Sequence, residues 1–280
     1  MNKKDNNPGK LLKGDFIPEI KDLKPDNNSL VFGYGGSDVL LVNHCIPNYE
    51  IFRKHNISYT HSRYIGKIND ISCFSLNIEK SIHEIAIGSR HHLYEMYALL
   101  PGNYLKAAIY GFQIFLWDKK TTFCGLCGSK IEEQFNSKLV KKCSVCKEEY
   151  FPKISPVVIV AVIKEGKILL AQHNRMKQTL YTVLAGFVDP GESIEECIHR
   201  EIKEEADIEV KNIRYFGSQP WPFPDSLMLA FQADYDKGEL KPDTEEISDL
   251  RWFAPEEIPE WPDKVSIART LIDHFIQENT

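Results

Sequence analysis

The 280-residue sequence predicts an α/β fold: a C-terminal sandwich of mixed strands and helices, preceded by a short cysteine-bound segment and an α+β N-terminal domain. Three observations predict it. After Pro156, strand-length apolar runs alternate with two helix-length amphipathic stretches. Between residues 121 and 150 the chain is Lys-rich and carries two Cys-x₂-Cys pairs. Before that, short β-rich runs are separated by Gly, Pro and Asn turns and followed by helical stretches.

The expected domains are therefore residues 1–120, 121–150 and 151–280. In the first, Ser29–Tyr34, Val39–Asn43 and Ile71–Leu76 read as strands, and Ser89–Leu99 and Tyr104–Trp117 as helices. This part carries no chemical motif, which points to a packing or dimer-forming role. In the last, Val157–Ile163 and Lys167–Gln172 flank Glu165-Gly166 as a hairpin. A loop with Gly186, Pro190 and Gly191 leads into a helix over Ser193–Ala206. Strands follow at Ile213–Ser218, Leu227–Tyr235 and Leu250–Ala254, and a helix over Val265–Gln277 closes the chain.

Apolar residues make up 42% and charged residues 26%, enough for a substantial core without covalent staples. The net charge of −6 argues against broad, non-specific nucleic-acid binding, because no global cationic field supplies phosphate affinity. The longest apolar run, Val157–Ile163, suits a buried strand and is too short to span a bilayer. The polar start and the C-terminal Gln277-Glu278-Asn279-Thr280 show no targeting signal, so a cytoplasmic location and no membrane partner are expected.

Cys124-x₂-Cys127 is followed after 15 residues by Cys143-x₂-Cys146. Each pair can grip one ion from a tight turn, and two pairs supply four sulfurs in a tetrahedron, the arrangement of a closed structural zinc site. Gly125, Gly128 and Ser144 are the residues expected to ease the turns. Disulfides or a redox pair are the alternatives. Cys45, Cys73 and Cys197 stand apart, which does not suit a secreted disulfide framework.

The helix over Ser193–Ala206 carries carboxylates on the wrong side. At about 100° per residue, Ile194, Cys197, Ile198 and Ile202 form one apolar stripe. Glu201 and Glu205 fall in the middle of that stripe, and Glu204 lies at its edge. Two carboxylates one turn apart on a buried face resist ionisation through desolvation and mutual repulsion, so a cation must face them. Lys or Arg partners are one answer, and Mg²⁺ or Mn²⁺ is the other. Glu192 and Arg200, eight residues apart, are expected to pair and hold the preceding loop against the helix.

Gly186-x₅-Glu192-x₇-Arg200-Glu201-Ile202-x-Glu204-Glu205 resembles the Nudix box, GX₅EX₇REUXEEXGU with U apolar. Asp207 stands where that pattern has Gly, at a position expected to take the left-handed conformation of a helix C-cap. Downstream, Ser218-Gln219-Pro220-Trp221-Pro222-Phe223-Pro224-Asp225-Ser226 resembles the SQPWPFPxS array of the NADH pyrophosphatase branch of Nudix hydrolases. Read alone, its prolines and aromatic rings make a stiff loop on which a planar base could stack, or else a Pro-rich surface turn. The four cysteines, Tyr150-Phe151-Pro152 and Ser266-Ile267-Ala268-Arg269 match the same branch. The resemblance runs from about Phe123 to the end and implies a Nudix α/β/α sandwich behind a zinc ribbon.

It also implies an activity: hydrolysis of NADH or NAD⁺ to nicotinamide mononucleotide and AMP, with Mg²⁺ or Mn²⁺ as the catalytic cofactor and Zn²⁺ as a structural one. By resemblance Glu201, Glu204, Glu205, Glu246 and the Ala185 carbonyl hold the catalytic metal. Glu205 is the first candidate for the general base and Glu246 the second, and Arg200 belongs to the catalytic set. Phe151 and Phe187 are expected to stack on a substrate ring, although either also reads as core. Gln219, Pro220, Trp221, Pro222, Phe223, Pro224, Asp225 and Ser226 should line the same pocket, with a backbone contact from Ala268. Lys138 stands where an acidic substrate contact is expected. A homodimer is implied as well. Three other functions compete. The same site removes an NAD cap from RNA, with Lys138, Lys141, Lys142 and Lys147 as a basic track; the substrate is another nucleoside diphosphate derivative; or the fold is a binding module without catalysis.

Overall fold

A computed structural model of the protein describes residues 15–78, 87–131, 139–174, 180–259 and 262–280. The chain divides into two compact units, one running to Lys153 and one from Ile154 to Thr280. Among the described residues no helix is long and apolar enough to cross a membrane.

The first unit is built on a six-stranded sheet: β1 (Phe16–Pro18), β2 (Leu30–Gly35), β3 (Asp38–Leu41), β4 (Tyr59–Ile68), β5 (Ile71–Ile78) and β6 (Ser89–His92), in the order β1-β4-β5-β2-β3-β6. Only β2 and β5 run parallel. A short helix, α1 (Tyr49–Lys54), follows β3. The expected helix over Ser89–Leu99 is instead β6, a 3-10 turn over Leu93–Glu95 and a one-turn helix α2 (Met96–Leu99). Ser89–His92 has no helical apolar stripe, and its backbone pairs along β3 from Leu41 to Asp38. The long helix α3 (Gly102–Lys120) contains the expected Tyr104–Trp117 stretch. It seats on the sheet through Tyr34, whose buried hydroxyl donates to the Ala108 carbonyl at 2.7 Å, and through Ser75, which donates to the Gly111 carbonyl at 3.0 Å. The cysteine segment, with its two-residue strands β7 (Lys141–Lys142) and β8 (Glu149–Tyr150), belongs to this unit.

The second unit is a sheet of β9 (Ser155–Lys164), β10 (Lys167–His173), β11 (Leu184–Phe187), β12 (Ile208–Trp221), β13 (Ser226–Gly238) and β14 (Ile247–Phe253). The order is β12-β13-β9-β10-β14, with β11 also on β9. Only β13 and β9 are parallel, so the sheet is mixed. Helices α4 (Ile194–Ala206) and α5 (Ile267–Asn279) cover its two faces. Side chains alternate along a strand, and β9 shows the result. Val158, Val160 and Val162 join Cys197, Ile198 and Ile202 of α4, while Ile159 and Ala161 join Leu271, Ile272 and Phe275 of α5. This is the expected α/β/α sandwich.

The proline-rich array is less of a loop than its composition suggests. Gln219, Pro220 and Trp221 are the last residues of β12, paired with Met228, Leu227 and Ser226. Only Pro222–Asp225 form the turn. β12 is an edge strand, where a proline's missing N–H costs no ladder bond.

Candidate active site

Helix α4 is fixed at both ends by local sequence. Ser193 is its N-cap and forms a capping box with Glu196: the Ser193 Oγ accepts from the Glu196 N–H at 3.2 Å, and Glu196 Oε2 accepts from the Ser193 N–H at 2.7 Å. Asp207 closes the helix at φ 57°, ψ 27°, the left-handed conformation expected there. Its carboxylate meets Lys203 at 2.5 Å, which compensates an Asp in this position.

Arg200 organises the loop and the acids. Its guanidinium grips Glu192 with two bonds, Nε to Oε1 at 2.6 Å and Nη2 to Oε2 at 2.8 Å. Nη2 also donates to the Phe187 carbonyl at 2.9 Å, and Nη1 reaches Glu201 at 2.8 Å and Glu204 at 3.0 Å. The Glu192 carboxyl is thereby held down at about 2, first by Arg200 and then by the Asp189 N–H. Arg200 is thus the Lys or Arg partner that the apolar-face carboxylates called for, but only for part of the set.

Glu205 is the exception. It is 6% exposed, and Oε2 is buried without a hydrogen-bond partner. The Ala185 N–H acts in favour of the charged form of this carboxylate, but it is outweighed. Desolvation raises the Glu205 carboxyl to about 8, with the negative charges of Glu201 and Glu246 adding to it. Burial also pushes up the Glu201 carboxyl, against the pull of Arg200. The charges of Glu201 and Glu246 both bear on Glu205, and its Oε2 has no hydrogen-bond partner to offset them. Hard oxygens in such a cluster fit a divalent cation. Glu201, Glu204, Glu205, Glu246 and the backbone of Ala185 are the groups able to hold it. Gly186 lets β11 approach this cluster, since a Cβ there would meet the Glu201 carboxylate.

Around the cluster the expected substrate residues divide. Phe187 is 56% exposed at the end of β11, free to meet a ring. Trp221 and Phe223 are half-buried, with ring centroids 5.3 Å apart, and Pro224 is exposed while Pro222 is buried. Gln219 is 4% exposed, and its amide is engaged at both ends: Nε2 donates to the Val265 carbonyl and Oε1 accepts from the Ile267 N–H, each at 2.7 Å. Its side chain therefore anchors the start of α5, just before the buried Ala268. Asp225 likewise accepts from the Ser155 hydroxyl at 2.8 Å, and Ser226 is buried at 4% exposure. Phe151 is exposed and belongs to the first unit. Lys138 lies outside the described residues.

Sequence reasoning missed His173 and Asn174, at the end of β10. Burial holds the His173 imidazole below its ordinary value, while the Glu246 charge acts the other way. Their approach to Glu246 comes from cross-strand pairing, His173 opposite Ile247, which no local spacing reveals.

In the first unit, Cys124, Cys127, Cys143 and Cys146 bring their sulfurs within 4.8 Å of one another. The left-handed turn residues are Gly128 (φ 72°) and Lys147 (φ 69°), so Gly125 and Ser144 are not the ones that ease the knuckles. The Tyr150 hydroxyl sits 3.1 Å from the Cys124 sulfur and holds that thiol at about 6, a value that favours a metal-binding thiolate. The lysines expected as a basic track are largely engaged. Lys141 is buried and bonds Asp118 and the Thr121 carbonyl, Lys142 pairs with Glu149, and Lys147 donates to the Ser144 carbonyl.

The NUDIX domain family model matches residues 153–275. The chain is 41% identical over 244 residues to the NAD-capped RNA hydrolase NudC of Vibrio vulnificus (strain CMCP6), covering 86% of this chain and 90% of that one. It is 38% identical over 262 residues to the NAD-capped RNA hydrolase NudC of Vibrio parahaemolyticus serotype O3:K6, covering 91% and 97%. Against the protein of that name from Photobacterium profundum it is 50% identical over 158 residues, covering 55% and 58%. With its acidic helix face, its four-cysteine cluster and two of these relatives matched over 90% and 97% of their length, this chain belongs to the Nudix hydrolase family, among its NudC members.

Proposed function

We propose that this chain hydrolyses the pyrophosphate of an NAD moiety, in free NADH or NAD⁺ and at the 5′ end of NAD-capped RNA. Water adds to one phosphorus and the P–O–P bridge breaks. The products are nicotinamide mononucleotide with AMP from the free dinucleotide, or with 5′-monophosphorylated RNA from the cap. The observation that carries this reading is the buried Glu205 carboxylate, unpartnered at Oε2 and pressed by Glu201 and Glu246. A bound Mg²⁺ or Mn²⁺ supplies charge neutralisation and a more acidic water at such a site.

The chain's own residues do the rest. Arg200 fixes the loop from Phe187 to Glu192 against α4 and aims Glu201 and Glu204. Glu205 is the first choice to take the proton of the attacking water, because it is the buried carboxylate whose Oε2 is left without a hydrogen-bond partner. Glu246 is the second. Phe187, Trp221 and Phe223 offer ring faces for the nicotinamide or adenine.

Both substrate forms use one site, and the names of the relatives support the capped form. The cysteine ribbon is read as a structural zinc site, closed by four thiolates, suited to a reducing, cytoplasmic setting. A homodimer belongs to the same reading, and sedimentation equilibrium tests it. The deciding experiment is product analysis with NADH, NAD⁺ and a capped RNA, each with Mg²⁺ or Mn²⁺. Cleavage giving nicotinamide mononucleotide supports the reading. Failure on all three, with either metal, sinks it and moves weight to another nucleoside diphosphate derivative or a binding role.

A further inference from the structure

Asn174 stands one residue past the end of β10, where the ladder to β14 slips: Gln172 pairs with Asp249 but His173 pairs with Ile247. That slip sets Asn174 opposite the acidic turn that precedes β14. Its backbone N–H donates to the Glu246 carbonyl at 2.8 Å. Its side-chain Nδ2 donates to the Thr244 carbonyl at 3.2 Å and the Glu245 carbonyl at 2.9 Å. Three successive carbonyls of the turn are thus served by one residue, and two carbonyl oxygens can face only the N–H₂ end of the amide. The N–H groups of Glu245, Glu246 and Ile247 are served from within. Asp243 accepts from Glu245 through Oδ1 at 2.9 Å, and through its carbonyl from Glu246 at 3.2 Å and Ile247 at 2.8 Å. Ser248, donating to the Gln172 carbonyl and Oε1, continues the seam.

We propose that Asn174 is a positioning residue: it pins the turn carrying Glu246 to the end of β10 and so sets how tightly the carboxylate cluster holds its divalent cation. The inference rests on the Nudix reading of that cluster. The physical need is clear. Asp243, Glu245 and Glu246 put three acids within four positions, and their repulsion favours any rearrangement that spreads them. Among the described residues, side-chain hydrogen bonds inside the turn involve Asp243 alone; the Asp243 N–H on the Glu205 carbonyl at 3.3 Å and Ser248 on Gln172 tie its two ends, and Asn174 is the side-chain anchor between them. Removing Nδ2 leaves the Thr244 and Glu245 carbonyls to water, so the turn before Glu246 can shift while the Asn174 N–H still holds the Glu246 carbonyl.

The test uses the full chain and its Asn174→Ala, Asn174→Ser and Asn174→Asp variants. Binding of Mn²⁺ alone is read by titration calorimetry and by electron paramagnetic resonance, beside kcat, KM and thermal unfolding. Asn174→Ala should weaken Mn²⁺ roughly tenfold, the scale of losing a partner that orients a metal ligand, with KM for NADH at saturating Mn²⁺ within about twofold. Asn174→Ser, which keeps one donor, should recover part of the affinity. Asn174→Asp, which sets an acceptor against two carbonyls, should recover none. Wild-type Mn²⁺ affinity in Asn174→Ala, with or without a lower unfolding temperature, overturns the inference while an active wild type leaves the Nudix reading standing. A wild type that binds no Mn²⁺ and cleaves no NAD substrate overturns both.

Discussion

A Cβ on Gly186 would collide with Cδ and both carboxylate oxygens of Glu201. Gly186 sits in regular β11 pairing opposite Val158, with no positive φ, so the backbone itself would accept alanine. The demand for glycine comes from the carboxylate alone. Gly186→Ala should therefore displace Glu201 with little effect on the strand. A displacement on the ångström scale at a catalytic group costs on the order of 10²-fold in rate. Steady-state kinetics should show that fall in kcat, with half-saturation by Mg²⁺ moved upward. Unchanged kinetics would place Glu201 outside the working site.

Glu205→Gln should separate stability from activity. The carboxyl sits at about 8 in the folded chain, above its unfolded value of 4.5. Between those values the metal-free folded state holds a proton that the unfolded state has released, so stability falls as pH rises from about 4.5 to 8. The variant lacks that slope. Metal-free, it should match wild type near pH 4.5 and exceed it at pH 8, read by urea denaturation in the presence of chelator. Its rate of NAD hydrolysis should drop by roughly 10² or more. Added Mg²⁺ should stabilise wild type, more strongly at pH 8 than at pH 6, because the metal needs the deprotonated carboxylate. A variant that hydrolyses NADH as fast as wild type would remove Glu205 from the mechanism.

The contrast between Glu205 and Asn174 shows what a sequence can disclose. Glu201 and Glu205 lie one turn apart beside Ile198 and Ile202, so helical periodicity alone places them on the buried face. The four cysteines disclose their site by local spacing in the same way. Asn174 meets its partners 70 and 71 residues away, and Gln219 meets Val265 and Ile267 across 46 and 48. No periodicity encodes those meetings, because they arise from strand register and helix docking. The same limit explains β6: Ser89–His92 becomes a strand because β3 offers an edge to pair with. Likewise the polar start of β4, Tyr59-Thr60-His61-Ser62-Arg63, hides a strand that its pairing with β5 makes plain.

The Glu192–Arg200 pair should set acid sensitivity. With the Glu192 carboxyl near 2, below its usual 4.5, the stability it contributes is fully present above about 4.5 and is lost as pH falls toward 2. Arg200→Lys, which cannot reproduce the bidentate grip, should shrink the stability difference between pH 5 and pH 2.5. It should also lower activity at neutral pH, because Glu201 and Glu204 lose their guide. Denaturant unfolding at the two pH values reads the first effect. An identical acid profile for the two proteins would show that the pair does not act as argued.

Zinc should be needed for the fold of the β7–β8 ribbon. Cys143 is fully buried and Cys124 nearly so, and four unmetallated thiols in that space leave the short β7–β8 ribbon with a small core of Cys124, Ile131 and Cys143. Metal release with a thiol-reactive mercurial, followed by a colorimetric zinc indicator, should give about one Zn²⁺ per chain. Cys143→Ser should release the metal and lower the thermal midpoint of the whole chain. A chain that carries no zinc, or a Cys143→Ser variant as stable as wild type, would turn the cluster back into a redox or disulfide site.

Gln219→Ala should raise KM and lower stability together. The buried amide caps the Ile267 N–H, the first residue of α5, while Ser266 serves the Arg269 N–H at 3.2 Å, so two of the helix's orphan donors depend on these side chains. Losing the amide also leaves the buried Ile267 N–H without that acceptor, a cost of about 1–3 kcal/mol. The start of α5, with Ala268, then shifts relative to the Trp221–Ser226 turn. A residue that only touched substrate would change KM and leave the unfolding midpoint alone. A residue that only stabilised the fold would change the midpoint and leave KM alone. The double effect, with Mn²⁺ affinity unchanged, is the outcome that an anchor between the hairpin and α5 requires.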